Sequence, residues 1–332
     1  MSTAEALPRL GFLGLGWIGQ HRMQALLDAN ACRVVAVADP SPDACARALA
    51  AAPGAVAGAT LEDLLEHELD GLVIATPSAL HAQQALAALD RGLAVFCQKP
   101  MARTAEENGA VVEAARKADR LLACDLSYRH TDAMRRIRNC VAEGELGDVY
   151  AADLVFHNAY GPDKSWARDA GLSGGGCAID LGIHLVDLAL WTLGFPTVQK
   201  VTSRLYAQGR PLPLGSSEVE DYAVAQLDLE GATVVRIACS WNASVGRDAV
   251  IEAHFHGSRA SAAMHNVNGS FYDFAAARFN GTQRTPLADP PDAWGGRAIV
   301  EWARRLAGGA RYDPGIESIV DVAAVLDRVY GR

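Results

Sequence analysis

Hydrophobic and polar positions follow two different rhythms along this chain, and the change falls near residue 125. Before it, short apolar runs alternate with stretches of helical period. Residues 10–13 read as a strand and 20–28 as the helix that follows. Residues 34–38 form a continuous apolar run, expected of a parallel strand covered on both faces. Ser41 then offers an N-cap and Pro42 the first helical position, opening a helix to about Ala52. Residues 72–75 and 94–97 are further buried strands, with 79–91 helical between them. Thr104 and Glu107 predict a capping box ahead of a helix ending at Asp119, and residues 121–124 close the set as the sixth strand. Strands separated by single helices predict an α/β fold, a doubly wound parallel sheet with right-handed crossovers.

Beyond that point the rhythm changes. A helix is expected from Thr131 to Gly144, a strand over 149–156 and one strong helix over 178–193. Strand patterns at 198–205, 222–227, 233–239 and 250–256 then follow one another without helices between them. That succession predicts a largely antiparallel sheet in an α+β domain, closed by helices over 295–306 and 316–330. The pattern therefore divides the chain into residues 1–125 and 126–332.

Composition agrees with a folded chain of this kind. Of 332 residues, 50% are hydrophobic and 21% charged, ordinary globular usage that excludes bulk disorder. The net charge of −9 argues against nucleic acid or an anionic membrane as the partner, since both need a basic face. The first ten residues show no basic n-region and no long apolar stretch, so no secretory leader is expected. No run of about 18 apolar residues stands out either, so no membrane span is expected. Seven scattered cysteines without a C-x-x-C pair fit reduced thiols in a cytoplasmic protein. His254 and His256 alternate on one strand face but lack a third ligand at plausible spacing, so no metal is expected.

Gly14-Leu15-Gly16-Trp17-Ile18-Gly19 is a G-x-G-x-x-G segment between the first strand and the first helix. Gly14 permits the tight turn, Gly16 the approach of backbone to a pyrophosphate, and Gly19 close helix–strand packing. Asp39 ends the second strand, where a carboxylate accepts hydrogen bonds from an adenosine ribose. Asp39 also repels a 2′-phosphate, and Pro40-Ser41-Pro42 contain no cation to receive one. NAD is therefore favoured over NADP.

Gln98-Lys99-Pro100 follows the strand at 94–97, and Thr76-Pro77 ends the one at 72–75. Both pairs lie at the carboxyl edge, where doubly wound sheets bind ligands. His81 follows Thr76-Pro77 closely enough to shape the cofactor cleft, or simply to pack beneath it. In the predicted helix over 178–193, Asp180, His184, Asp187 and Trp191 fall on one face. A histidine there suits proton exchange with a hydroxyl near neutral pH. An N-terminal aspartate and a core histidine would leave the same trace. Gly174-Gly175-Gly176 has no Lys-Ser/Thr after it, so it suits close backbone approach rather than phosphate binding.

Together the GLGWIG loop, Thr76-Pro77 with His81, Lys99-Pro100 and the GGGCAIDLGIHLVDLALWTLG stretch resemble the Gfo/Idh/MocA family of NAD(P)-dependent oxidoreductases. The resemblance covers most of the chain. It implies a Rossmann domain holding the cofactor on Gly14, Gly16, Trp17, Ile18, Gly19, Asp39, Thr76, Pro77, His81, Gln98 and Lys99. It also implies an α/β domain whose open sheet commonly forms a homodimer or homotetramer interface. Lys99, Asp180 and His184 are the catalytic positions carried over, and Tyr128, Trp166 and Arg168 are candidates for lining the substrate site. Two departures stand out. Gln98 replaces the glutamate usual before the Lys-Pro pair, and Leu185 stands where inositol-type members carry an acid. The expected activity is hydride transfer between a nicotinamide and a secondary alcohol or ketone of a sugar or polyol. A non-catalytic NAD-binding regulator, or an enzyme acting on a non-carbohydrate ring such as a dihydrodiol or tetrapyrrole, are the alternatives.

Overall fold

The computed structural model describes residues 7–213 and 215–332; the first six residues, part of the stretch on which the leader was judged, lie outside the described residues. The chain forms two compact units. Among the described residues, the first comprises 7–102, 106–126 and 296–319, and the second 103–105, 127–213, 215–295 and 320–332.

In the first half the elements run β1 (Arg9–Leu13), α1 (Trp17–Asp28), β2 (Arg33–Ala38), α2 (Pro42–Ala51), β3 (Val56–Gly58), α3 (Leu61–Leu65) and β4 (Gly71–Ile74). They continue with α4 (Ser78–Asp90), β5 (Ala94–Cys97), α5 (Ala105–Ala118) and β6 (Leu122–Cys124). The six strands pair in parallel in the order β3-β2-β1-β4-β5-β6. Every residue of β4 and β5 is buried, which is why these strands read as unbroken apolar runs. Ser41 caps α2 by accepting from the Ala44 amide, as expected. The sequence pattern does not locate β3 or α3, because three residues that are mostly exposed carry no period.

The second half runs α6 (Asp132–Ala142), β7 (Val149–Asn158), α7 (Ala170–Ser173), α8 (Ile183–Leu193), β8 (Val198–Ala207), β9 (Arg210–Leu212) and β10 (Tyr222–Leu229). There follow β11 (Val234–Ser240), β12 (Ala249–Gly257), β13 (Ser261–Asn266), β14 (Phe274–Asn280), β15 (Gln283–Ala288), α9 (Arg297–Ala307) and α10 (Ser318–Tyr330). Nine strands form one sheet in the order β15-β14-β13-β12-β7-β11-β10-β8-β9, antiparallel except for β7 with β11. Strict alternation puts Leu205, Leu227, Val235 and Phe255 on the buried face, and Arg204, Gln226 and Arg236 outward. Strands β13–β15 leave no clear sequence pattern because alanines fill β13 and β14, and Pro286 interrupts β15 at the sheet edge.

Two sequence expectations change. A boundary at 125/126 with everything after it in one domain misplaces α9. Its Ile299, Trp302 and Ala303 join the core built on Leu10, Phe12 and Phe96, with the Trp302 ring 5.6 Å from Phe96. An amphipathic pattern shows that a helix is covered, not which core covers it. Full burial of a side chain such as Phe12 or Leu10 stabilises by about 1.5–3 kcal/mol, enough to recruit this late helix.

The second change concerns the helix expected over 178–193. It opens as a π-helical segment, Ala178–Gly182, and becomes α-helical only at Ile183. The stretch Ala170–Leu193, helical apart from the turn at residues 174–176, is long and apolar enough to cross a bilayer, contrary to the expectation that no such run exists. With 83% of its most apolar window buried inside the fold, it is a core helix of the second unit.

Candidate functional site

In the first unit, Gly14 adopts φ +88°, and a Cβ there would sit 2.5 Å from the carbonyl carbon of Ala75. A Cβ on Gly19 would lie 2.1 Å from the Gly14 carbonyl oxygen. The loop is thus closed to side chains at both points, and its backbone leads directly into α1. Trp17, on the first turn of α1, is 63% exposed and stacks on His21 at 5.4 Å, while Gly16 and Ile18 are half-buried. Asp39 links this loop to the next: its Oδ2 accepts from the Leu15 amide at 2.7 Å and its Oδ1 from the Ser41 amide at 2.8 Å. Each carboxylate oxygen retains a lone pair for a hydroxyl donor. A glycine turn that excludes Cβ atoms, a helix N-terminus and an anchored acid together fit a dinucleotide.

His81 is 1% exposed, with its ring nitrogens 2.7 Å from the carbonyl oxygens of Pro100 and Thr76. Burial holds its pKa below the usual imidazole range. It sits between the Thr76-Pro77 end of β4 and the Lys99-Pro100 turn after β5. Thr76 Oγ1 donates to Gln84 at 2.5 Å, and Lys99 is half-buried. Gln98 donates through Nε2 to Asp125, whose Oδ2 also accepts from Arg22 Nε at 2.6 Å.

In the second unit, Asp180 lies in the π segment, half-buried, and its Oδ2 accepts from Trp241 Nε1 at 3.1 Å. His184 is 6% exposed, its ring 4.7 Å from Tyr128 and 6.4 Å from Phe156. Tyr128 in turn packs 5.0 Å from Trp294 and 5.8 Å from Phe274. These aromatics are buried, so they form a bed behind His184 rather than an open apolar wall. Trp166 and Arg168 sit on a short turn, Ser165–Arg168, the first half-buried and the second exposed. The Arg168 guanidinium lies 2.6 Å from where a Gly161 Cβ would stand, beside Asn242.

The single polar stripe expected of Asp180, His184, Asp187 and Trp191 is not kept. The π turn changes the phase of Asp180 relative to the α-helix. Asp187, 1% exposed, is held by Arg129 Nε at 2.9 and 3.0 Å, and Trp191 lies under Arg138 at 4.7 Å. Those two are structural.

The amides that open the π segment are held by groups without a local trace. Glu220, 1% exposed, accepts from the amides of Gly176 (3.0 Å) and Ala178 (2.8 Å) and from Tyr330 Oη (2.8 Å). Tyr330 Oη accepts in turn from the Ile179 amide at 3.1 Å. The glycines admit these partners: a Cβ on Gly175 would meet Tyr330 Oη at 2.1 Å, and one on Gly176 the Glu220 carbonyl oxygen at 1.9 Å. The sequence pattern marks the glycines but not Glu220 and Trp241, which come from the segments just before β10 and just after β11, nor Tyr330 at the end of the last helix.

Burial raises the Glu220 pKa despite its three donors. A folded-state pKa above the unfolded value means stabilisation complete below the ordinary carboxylate range and lost as pH rises through the raised value. Urea unfolding of wild type and Glu220→Gln between pH 4 and 8 should therefore show wild type losing stability relative to the variant as pH rises. Parallel profiles would remove Glu220 titration from the energetics.

Comparison with known proteins places both units. Residues 9–126 match the family model described as "Oxidoreductase family, NAD-binding Rossmann fold", and residues 134–263 match "GFO/IDH/MocA C-terminal domain". The rhizopine catabolism protein MocA of Rhizobium meliloti is 28% identical over 312 residues, 90% of this chain and 94% of that protein. D-glucoside 3-dehydrogenase of Escherichia coli (strain K12) is 28% identical over 211 residues, 60% of each chain. A solved levoglucosan dehydrogenase in complex with NADH superposes with a TM-score of 0.82 at 22% identity, over 97% of this chain and 95% of the other.

Proposed function

The chain belongs to the Gfo/Idh/MocA family of NAD(P)-dependent oxidoreductases, and from that premise we propose that it interconverts a secondary alcohol and a ketone on a sugar or related polyol. The observation that carries this reading is the Asp180–His184 segment. It supplies a half-buried carboxylate anchored by Trp241 and, four residues on, an imidazole backed by Tyr128. A bound nicotinamide supplies the hydride donor or acceptor. His184 takes the hydroxyl proton in oxidation and returns it in reduction. Lys99 hydrogen-bonds the reacting oxygen and offsets its developing charge. Asp180 orients His184 and accepts from a neighbouring hydroxyl, while Tyr128, Trp166 and Arg168 border the substrate. The names of the glucoside and levoglucosan dehydrogenases support a sugar. The buried aromatic bed behind His184 gives no support to a flat apolar ring.

Asp39 supports NAD over NADP. Its carboxylate repels a 2′-phosphate, and Pro40, Ser41 and Pro42 add no cation. Asp39→Ser is expected to raise NADPH affinity relative to NADH by about 10-fold, or about 1.4 kcal/mol. Titration of each coenzyme by protein fluorescence checks this, and an unchanged ratio would remove Asp39 from cofactor choice. Free thiols at all seven cysteines suit a reducing, cytoplasmic setting. The outward face of the nine-stranded sheet is our candidate for a homodimer or homotetramer contact.

The test is NAD reduction at 340 nm across pyranosides, anhydrosugars and inositols. Turnover of cyclic non-sugar alcohols alone would move the substrate class. Tight NADH binding with no turnover of any alcohol or ketone would favour a regulator.

A further inference from the structure

The order of the parallel sheet says where each part of a dinucleotide goes. With the adenosine at Asp39 just after β2 and the pyrophosphate on the loop after β1, the nicotinamide ribose extends toward the ends of β4 and β5. The end of β5 carries Gln98 and Lys99.

Gln98 is 7% exposed, Arg22 5% and Asp125 1%. Asp125 Oδ2 accepts from both Arg22 Nε, at 2.6 Å, and Gln98 Nε2. A glutamine amide has a donor end and an acceptor end of nearly equal shape, and in isolation either can face a ligand. An ionised carboxylate beside a guanidinium removes that freedom, because it only accepts. Asp125 therefore selects the Nε2 end and turns Oε1 away from itself. On its far side Gln98 then offers one acceptor oxygen, as one oxygen of a glutamate would, while the negative charge stays at position 125 against Arg22. A glutamate at 98 would instead set two buried carboxylates against one guanidinium, an arrangement that disfavours ionising both.

We propose that Asp125, held by Arg22, is a positioning residue that fixes Gln98 as a neutral acceptor for a hydroxyl of the nicotinamide ribose. This rests on the cofactor reading above and adds to it the reason that this chain carries Gln where the family usually has Glu.

The test is equilibrium binding of NADH and of ADP, which lacks the nicotinamide ribose, with no substrate present. Wild type, Asp125→Asn, Gln98→Glu and the double variant are compared, with thermal unfolding alongside. Asp125→Asn frees the amide to turn, and Gln98→Glu doubles the charge. Each is expected to weaken NADH by about 10-fold, the size of one well-placed hydrogen bond, and to leave ADP unchanged. The double variant exchanges the carboxylate and the amide, and should return NADH affinity to within about threefold of wild type. NADH affinity untouched by Asp125→Asn would overturn the proposal. So would ADP weakened in step with NADH, or a folded double variant no better than Asp125→Asn. Wild type binding neither NADH nor ADP would overturn the cofactor reading itself, and this proposal with it.

Discussion

His184→Asn is expected to lower turnover on a confirmed sugar substrate by about 10²–10⁴-fold, the usual share of a positioned general acid–base group, while NADH still binds. Asparagine keeps a polar group of similar reach over Tyr128, so the aromatic bed loses little packing. It cannot take a proton near neutral pH. Lys99→Ala should cost a similar factor for a different reason. The carbonyl or alkoxide oxygen loses a charged donor, which matters more in a half-buried site than in water. Single-turnover absorbance at 340 nm with saturating coenzyme measures both. Near-normal kcat in either variant would take that residue out of the chemistry. A pH–rate profile separates the two: the limb assigned to His184 disappears in His184→Asn and persists in Lys99→Ala.

Arg129→Met should be the most destabilising change in the second unit, by about 3–5 kcal/mol, because it leaves Asp187 charged, buried and without the guanidinium it was folded around. For a unit of this size that corresponds to a fall in Tm of roughly 6–20 °C. The pH dependence carries the sign. Burial already raises the Asp187 pKa even with Arg129 opposing it. Removing Arg129 raises it further, so the deficit is largest well above that pKa and shrinks as pH falls and the carboxyl takes a proton. Calorimetry at pH 7.5 and pH 5 checks this. A deficit that grows on acidification would mean that Asp187 does not titrate as its burial requires.

Much of the cofactor side is legible in the amino-acid sequence. The glycine loop, Asp39, Thr76-Pro77 and Lys99, which we propose for that side, lie at a tight turn or a strand end, and both leave marks within a few residues. On the proposed substrate side the sequence locates Asp180 and His184 but draws the wrong helix through them. The amides opening the π turn are held by Glu220 and by Tyr330, whose hydroxyl meets an amide 151 residues earlier in the chain. No local period records a partner at that distance. Likewise the sequence puts His81 near the cofactor edge, but not both of its ring nitrogens against backbone carbonyls.

The sequence by itself determined the class of fold, the dinucleotide loop and the two segments that carry the titratable groups. These follow from burial pattern, glycine placement and strand-to-loop order, all short-range properties of the chain. Only the tertiary structure decided which core takes the late helix α9, how Asp180 is turned, and which end of the Gln98 amide meets Asp125. Each of those depends on a buried charge or ring meeting a partner from a distant part of the chain. Desolvation makes such a meeting compulsory, since an unpaired buried charge is too costly to keep. It says nothing, however, about where along the chain the partner will be found.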